Sequence, residues 1–273
     1  MLSSVFTDMI GRNVEVSCPP QRIVSIVPSQ TELLSNLGLS KEVVGITKFC
    51  VHPEEWFRTK DRVGGTKQLH IEKIKFLNPD LVIANKEENL QEQVIELSKT
   101  FPVWVSDIKT LEQALQMMQR VGLLVDKEQK ANSLVKDISN GFKNFNTAAA
   151  PKRVAYFIWK DPWMSVGGDT FISNIIESIG WVNVLSNECR YPEITLDQLV
   201  NYNPDIVLLS SEPYPFKEKH IPEIKAVLPA TEVVLVDGEM FSWYGSRLLK
   251  AVTYLEELVI MTFFFMTFII IKI

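Results

Sequence analysis

The sequence predicts an α/β protein of two parallel-sheet lobes joined by a single long interdomain helix. Three observations carry this: a duplicated segment, a regular alternation of short apolar runs with amphipathic stretches, and a central stretch without strand signals. Residues 72–83 read Glu-Lys-Ile-Lys-Phe-Leu-Asn-Pro-Asp-Leu-Val-Ile, and residues 197–208 read Asp-Gln-Leu-Val-Asn-Tyr-Asn-Pro-Asp-Ile-Val-Leu. In each copy an acidic residue opens a short helix and Asn-Pro-Asp stops it, because the residue before proline is disfavoured in helix. The apolar run that follows is too short for a helix and reads as a buried strand. Copies about 125 residues apart are too distant for a solenoid period, so they predict two similar lobes with a cleft between them.

In chain order, Arg22–Val27 reads as a strand, Thr31–Leu37 as a helix stopped by Gly38, Val43–Ile46 as a strand and Pro53–Phe57 as a helical turn. Leu81–Ala84 and Val103–Val105 are further strands, separated by an amphipathic helix over Leu90–Lys99. From Leu111 to about Phe145 no strand is predicted; Gly122 reads as a helix stop, and Asp126 as the cap of a connector helix reaching about Asn146, roughly 30 Å long at 1.5 Å per residue. The second lobe restarts with a strand over Arg153–Ile158, then a helix over Phe171–Ile179 stopped by Gly180, strands over Val207–Ser210 and Val233–Val236, and a closing helix over Arg247–Leu258. The expected division is therefore 1–110, a helical connector over 111–150, and 151–258. An apolar tail over 259–273 has lost the periodicity of the closing helix. It is expected to lie outside the working protein, since its Met, Thr, Phe and Ile residues match an out-of-frame reading of an AT-rich gene end. Its apolar run is shorter than the roughly 20 residues that span a bilayer.

Composition narrows the function. The chain has 273 residues, 46% of them apolar, enough for two substantial cores, and a net charge of −5 offers no basic field for nucleic acid. Three cysteines at wide spacing, Cys18, Cys50 and Cys189, encode neither a disulfide framework nor a Cys-x-x-Cys metal site. With only His52, His70 and His220, and no ligand spacing among them, no direct metal site is expected. Nucleophile-elbow, Walker and dinucleotide fingerprints are absent, so no catalysis is expected either. Gly167-Gly168-Asp169 opens a helix and could receive an anion, but two glycines in a turn are a weak signal. The first 20 residues do not read as a signal peptide, which leaves a cytoplasmic location open.

The aromatic residues are concentrated at strand ends, where open α/β sheets bind ligands. Trp159 and Trp163 open the second lobe, Tyr191 precedes its acidic helix, and Trp243 and Tyr244 follow its last strand. Such faces suit a large, flat, partly apolar ligand. Trp104 and Trp181 lie within apolar elements and read as core, whereas Trp56 fits either role. From the first lobe, the loops carrying Ser29, Gln30, Lys48, Thr66, Lys67, Asn85 and Lys86 should face the same cleft.

Taken in order, Arg22-Ile-Val-Ser-Ile-Val-Pro-Ser-Gln-Thr-Glu-Leu33, Val63-Gly64-Gly65, Asn78-Pro79-Asp80-Leu81-Val82-Ile83-Ala84 and Asn203-Pro204-Asp205-Ile206-Val207 make residues 5–258 resemble the helical-backbone substrate-binding proteins of ABC importers for cobalamin and iron-siderophore complexes. The resemblance implies two lobes on one rigid helix, a monomer, a periplasmic or surface-associated location, and a corrinoid or ferric chelate as ligand, with no cofactor. It also implies that Glu72 and Asp197 dock onto arginines of a permease dimer; the alternative for both is a helix-start acid stabilised by the helix dipole. Where cobalamin receptors carry tryptophan, this chain has Thr66 and Asn85, which turns the expectation away from cobalamin itself. Lys48, Lys67 and Lys86 would suit a ligand bearing carboxylates or phosphate, although solvated lysines are the ordinary reading of each. A cytosolic corrinoid or metal-chelate carrier on the same fold is the alternative function.

Overall fold

The duplicated segment folds into the same clasp twice. Asn78 and Asn203 end their helices in the left-handed conformation, at φ 44° and 45°. Each backbone N–H turns back to the preceding turn, Asn78 to the carbonyls of Ile74 and Lys75, Asn203 to those of Leu199 and Val200. The aspartate two residues on then receives the start of a neighbouring strand: Asp80 accepts from the N–H groups of Gln21 (2.7 Å) and Arg22 (2.8 Å), and Asp205 from that of Arg153 (2.8 Å). The arginine returns to the helix end, where Arg22 donates to the carbonyl of Leu77 at 2.6 Å and Arg153 to that of Tyr202 at 2.7 Å. Carbonyls that a helix end leaves without partners are thereby satisfied.

The computed structural model describes residues 2–145 and 151–270, with the side chains of Leu2 and 263–270 left aside. It divides into two units: Met1–Ile108, Glu112–Asp137 and Trp243–Arg247 in the first, Lys109–Leu111, Ile138–Ser242 and Leu248–Ile273 in the second. In chain order the first half of the sequence forms β1 (Leu2–Thr7), β2 (Asn13–Cys18), β3 (Ile23–Ser25), α1 (Pro28–Leu37), β4 (Val43–Ile46), α2 (Glu54–Thr59), β5 (Asp61–Arg62), α3 (Ile71–Leu77), β6 (Leu81–Asn85), α4 (Gln91–Ser98), β7 (Val103–Ser106), α5 (Leu111–Leu124) and α6 (Glu128–Lys143). The second half forms β8 (Arg153–Trp159), β9 (Met164–Ser165), α7 (Phe171–Ser178), β10 (Val182–Asn183), α8 (Leu196–Tyr202), β11 (Ile206–Ser210), α9 (Ile221–Val227), β12 (Glu232–Val236), α10 (Glu239–Ser242) and α11 (Leu248–Ile270).

The first unit has a parallel sheet in the order β5-β4-β3-β6-β7, and the second has β10-β8-β11-β12, with β9 antiparallel on β8. The first parallel strand of each sheet is internal, β3 between β4 and β6 and β8 between β10 and β11, so the chain reverses direction across the sheet there. Side chains of β6 and β11 are buried along their whole length, as expected for central parallel strands. One core in the first unit packs Val24, Ile26, Val82 and Val105 against Ile74 and Leu97; one in the second packs Phe157, Val207 and Leu209 against Leu199 and Ile224.

Several expectations are corrected. Gly122 does not stop a helix; it lies inside α5, where a Cβ would come within 2.3 Å of Ala131, so its small size permits the close approach of α6. Asp126 does not cap α6 but sits at φ 56° in the turn, with Lys127 N–H bonded to the carbonyl of Gly122. The helix it precedes ends at Lys143, making α6 16 residues long. That is about 24 Å, and the expected end at Asn146 lies outside the described residues. α11 continues past Leu258, with Val259 and Thr262 buried, so the division expected at 258 falls inside a helix. The antiparallel hairpin of β1 and β2 was not anticipated; Met9 N–H bonds the Val105 carbonyl and Arg12 the Val103 carbonyl at 2.9 Å each, covering the outer edge of β7. No helix among the described residues is long and apolar enough to cross a membrane.

Candidate functional site

In the first unit the strand ends are closed by a buried polar net. Asn85, the last residue of β6, donates to the Ser106 carbonyl (3.2 Å) and hydroxyl (3.0 Å), while its own carbonyl accepts from the N–H groups of Glu87 (2.8 Å) and Glu88 (3.0 Å). Gln30 donates to the same Ser106 hydroxyl and is fully buried, and Ser29 and Thr66 are buried as well. Asn89 ties the net together: it donates to the carbonyls of Ile26 (3.2 Å) and Thr66 (3.0 Å) and accepts from Asn85 N–H (2.9 Å). Asn85 thus spends its polar groups on loop architecture, which short polar side chains at loop starts do well, whereas the buried Oε1 of Gln30, in the first turn of α1, has no hydrogen-bond partner among the described residues. Cys50 belongs to the same layer. Its thiol lies 3.1 Å from the hydroxyls of both Thr31 and Thr47, and burial pushes its pKa up, against the opposing effect of those bonds.

The three lysines on these loops are exposed, in different company. Lys86 pairs with Asp107 at 2.6 Å, Lys67 donates to the Glu87 carbonyl, and Lys48 lies over the Phe49 ring at 5.0 Å. Phe49 itself is half exposed, an apolar side chain beside Lys48 that the sequence reading passed over.

Trp243 and Tyr244 fall in the first unit although they follow the last strand of the second. Both are buried, with the Trp243 ring edge-on to His52 at 5.5 Å and the Arg247 guanidinium 4.9 Å from its centroid. Arg247 also forms a two-point pair with Glu32 of α1, Nε to Oε2 at 2.8 Å and Nη2 to Oε1 at 2.9 Å. Both partners are under 10% exposed, and neither was singled out in the sequence. Glu32 carries no signal beyond its place in a helix, and its partner is 215 residues away.

In the second unit the aromatic residues separate by role. Trp159 ends β8 with 40% of its surface exposed, and Tyr214 stands edge-on to it at 5.6 Å. Trp163, expected on the rim, is buried to 8% exposure, stacked on Phe216 at 5.7 Å and edge-on to Phe157 at 5.2 Å. It is a core residue because β9 turns it back under the sheet. The indole of Trp56 is buried too, and Trp104 and Trp181 lie in the core as read. Tyr191 is half-buried beneath Arg190, 5.5 Å from its ring centroid. Tyr214 and His220 were missed: His220 Nδ1 accepts from Lys217 N–H at 2.9 Å, and its Nε2 lies 3.3 Å from the Tyr214 hydroxyl. The glycines before α7 serve backbone approach, since a Cβ on Gly167 would come within 2.4 Å of the Glu188 carbonyl and one on Gly168 within 2.1 Å of that of Ser186. Among the described residues no group of three or more His, Cys, Asp or Glu side chains is placed to hold a metal ion.

Glu72 and Asp197 occupy the second residue of α3 and of α8, and both are exposed. Glu72 pairs with Lys75 at 2.8 Å, and Phe76, one turn further on, is 87% exposed. α8 is opened by a capping box between Thr195 and Gln198, so Asp197 is not needed as the cap.

Relatives agree with this architecture. The chain is 27% identical over 267 residues to an uncharacterized ABC transporter substrate-binding lipoprotein, YvrC, of Bacillus subtilis, covering 92% of this chain and 83% of that protein. It is 24% identical over 197 residues to a vitamin B12-binding protein of Vibrio cholerae, covering 70% of this chain and 71% of the relative. The crystal structure of the periplasmic heme-binding protein HutB of Vibrio cholerae shares the fold with a TM-score of 0.75 at 22% identity, covering 88% of this chain and 98% of that one. The periplasmic binding protein family matches residues 23–232, a span that takes in both Asn-Pro-Asp turns and runs from β3 to the start of β12, and the chain belongs to that family.

Proposed function

We infer that this chain is the substrate-binding component of an ABC importer and that its cargo is a corrinoid or an iron chelate. The observation that carries the reading is the family match over residues 23–232, together with relatives whose names state ABC transport and vitamin B12 binding. Ligand contacts are assigned to the strand-end loops of each unit. In the second unit the exposed Trp159 and its neighbour Tyr214 supply an aromatic surface for a flat, partly apolar ligand. In the first unit Thr66 and Asn85 offer no aromatic face, and Asn85 is committed to the loop, so the contact there is polar, with Lys48 beside Phe49 as its exposed cation. This favours a ligand with anionic groups, such as haem propionates or a siderophore carboxylate, over cobalamin itself.

Docking is assigned to Glu72 and Asp197, one exposed carboxylate on each unit, meeting a basic two-fold permease. The ligand is tested by titration calorimetry with cobalamin, cobinamide, haem and ferric siderophores. Binding of haem or a ferric siderophore at least tenfold tighter than cobalamin is the expected result. Tightest binding of cobalamin would overturn the preference for an anionic cargo, and no binding of any of the four would overturn the assignment of cargo class.

A further inference from the structure

The residues Trp243–Arg247 make an excursion: the chain up to Ser242 and from Leu248 belongs to the second unit, while these residues pack within the first. Their contacts there include several with α1 and the loop after β4. Arg247 forms its two-point pair with Glu32, Ser246 accepts from the Asn36 side chain at 2.9 Å, Trp243 meets His52, and Gly245 lies so close to α1 that a Cβ would stand 3.0 Å from the Ser29 carbonyl. Ser29, Glu32 and Asn36 are spaced by three and four residues, which places them on one face of α1. That face begins at the loop after β3, where strand-end ligand contacts are assigned.

We propose that Glu32 and Arg247 are a positioning pair that holds the Trp243–Tyr244 loop on α1 and so presents it at the ligand site of the first unit; this rests on the proposed binding function. Trp243, Tyr244, Ser246 and Arg247 are all buried, and Gly245 at φ 149° adds no side chain to pack. A buried ion pair is a poor source of net stability, because desolvation consumes most of its Coulombic gain. Its geometric demand is strict, however: a planar guanidinium meeting a carboxylate at two points fixes orientation as well as distance. Arg247 also stacks on Trp243, so the pair sets the tryptophan's place directly.

The test combines amide hydrogen exchange on the full chain with titration of haem and cobinamide. Glu32→Gln and Arg247→Lys each keep the shape or the charge of the original while breaking the two-point pairing. Exchange over 243–247 is expected to accelerate about tenfold or more in both variants, with amides of β6 and β11 unchanged. Unchanged exchange over 243–247 overturns the proposal. For binding, Trp243→Ala, Arg247→Lys and the double variant form a cycle: a double variant no weaker than Trp243→Ala shows that Arg247 acts through the tryptophan, and fully additive losses overturn the proposal. If exchange accelerates while Trp243→Ala binds both probes normally, the positioning of the loop stands and its assignment as a ligand contact falls. Gly245→Ala, which presses on Ser29 from the other side, should reproduce the exchange phenotype without touching either charge.

Discussion

Trp159 and Trp163, four residues apart, show what single residues reveal and what they conceal. In sequence both read as tryptophans of the loop that opens the second lobe, with Trp163 directly after Pro162. In the folded protein one is 40% exposed and the other is stacked among Phe157 and Phe216, a distinction set by the turn into β9, which no local pattern encodes. The two should therefore fail differently when truncated. Trp163→Ala removes a packed indole and is expected to destabilise the protein by about 3–5 kcal/mol in urea unfolding. Trp159→Ala should change stability by less than about 1 kcal/mol and weaken ligand by about 1–3 kcal/mol. A reversal of the two phenotypes would show that the aromatic surface of the second unit has been misplaced. The same reasoning explains why Asn85 was legible as a residue at a strand end while its burial was not, and why Ser29 and Gln30, expected in a loop, lie buried in the first turn of α1. Whether a polar side chain faces ligand or ties its own loop depends on partners such as Ser106 that lie far along the chain.

Elements were more legible than residues because their signals are local. Strands β4 and β6 and helix α7 fall where apolar runs and glycine stops put them, while α1 ends at its glycine stop but begins at Pro28 rather than Thr31. The Asn-Pro-Asp stop was also correct in place, with more behind it than the proline: the asparagine takes the left-handed conformation, and the paired arginine and aspartate complete the clasp. The α5–α6 turn was misread because its glycine serves helix packing and its aspartate serves the turn, roles in which both residues are at home. The clasp supplies a test of this account. Asn78→Ala and Asn203→Ala should each cost about 1 kcal/mol, since alanine keeps the Cβ but lacks the polar side chain that lets asparagine tolerate left-handed backbone, whereas the Gly substitutions, with no Cβ, should come within about 0.5 kcal/mol of the parent. The denaturant midpoint reads the difference. Equal losses for Ala and Gly would mean that the asparagine side chain, and not its backbone, is what the turn requires.

For the whole molecule, duplication was the most legible feature, since two copies of one motif led to two sheets that share a four-strand parallel order, β4-β3-β6-β7 and β10-β8-β11-β12. The excursion of Trp243–Arg247 into the first unit was illegible, because it is written in contacts spanning more than two hundred residues. Duplication also frames the last prediction. Glu72 and Asp197 sit at the same helix position in the two copies, both are exposed, and neither is required to cap its helix: Thr195 caps α8, and Glu72 at the second residue of α3 reaches Lys75 instead. An exposed pair such as Glu72 and Lys75 contributes little to stability, so replacing the carboxylates should leave the fold intact. If they register a basic two-fold permease, reversing their charge converts two attractions into two repulsions. Glu72→Lys or Asp197→Lys alone is expected to reduce uptake of the identified ligand in cells severalfold, and the double variant to abolish it, with calorimetric affinity for that ligand unchanged in all three. Normal uptake by the double variant would reduce both residues to helix-start acids stabilised by the helix dipole, and the docking surface would have to be sought elsewhere, beginning with the exposed Phe76 on the same helix.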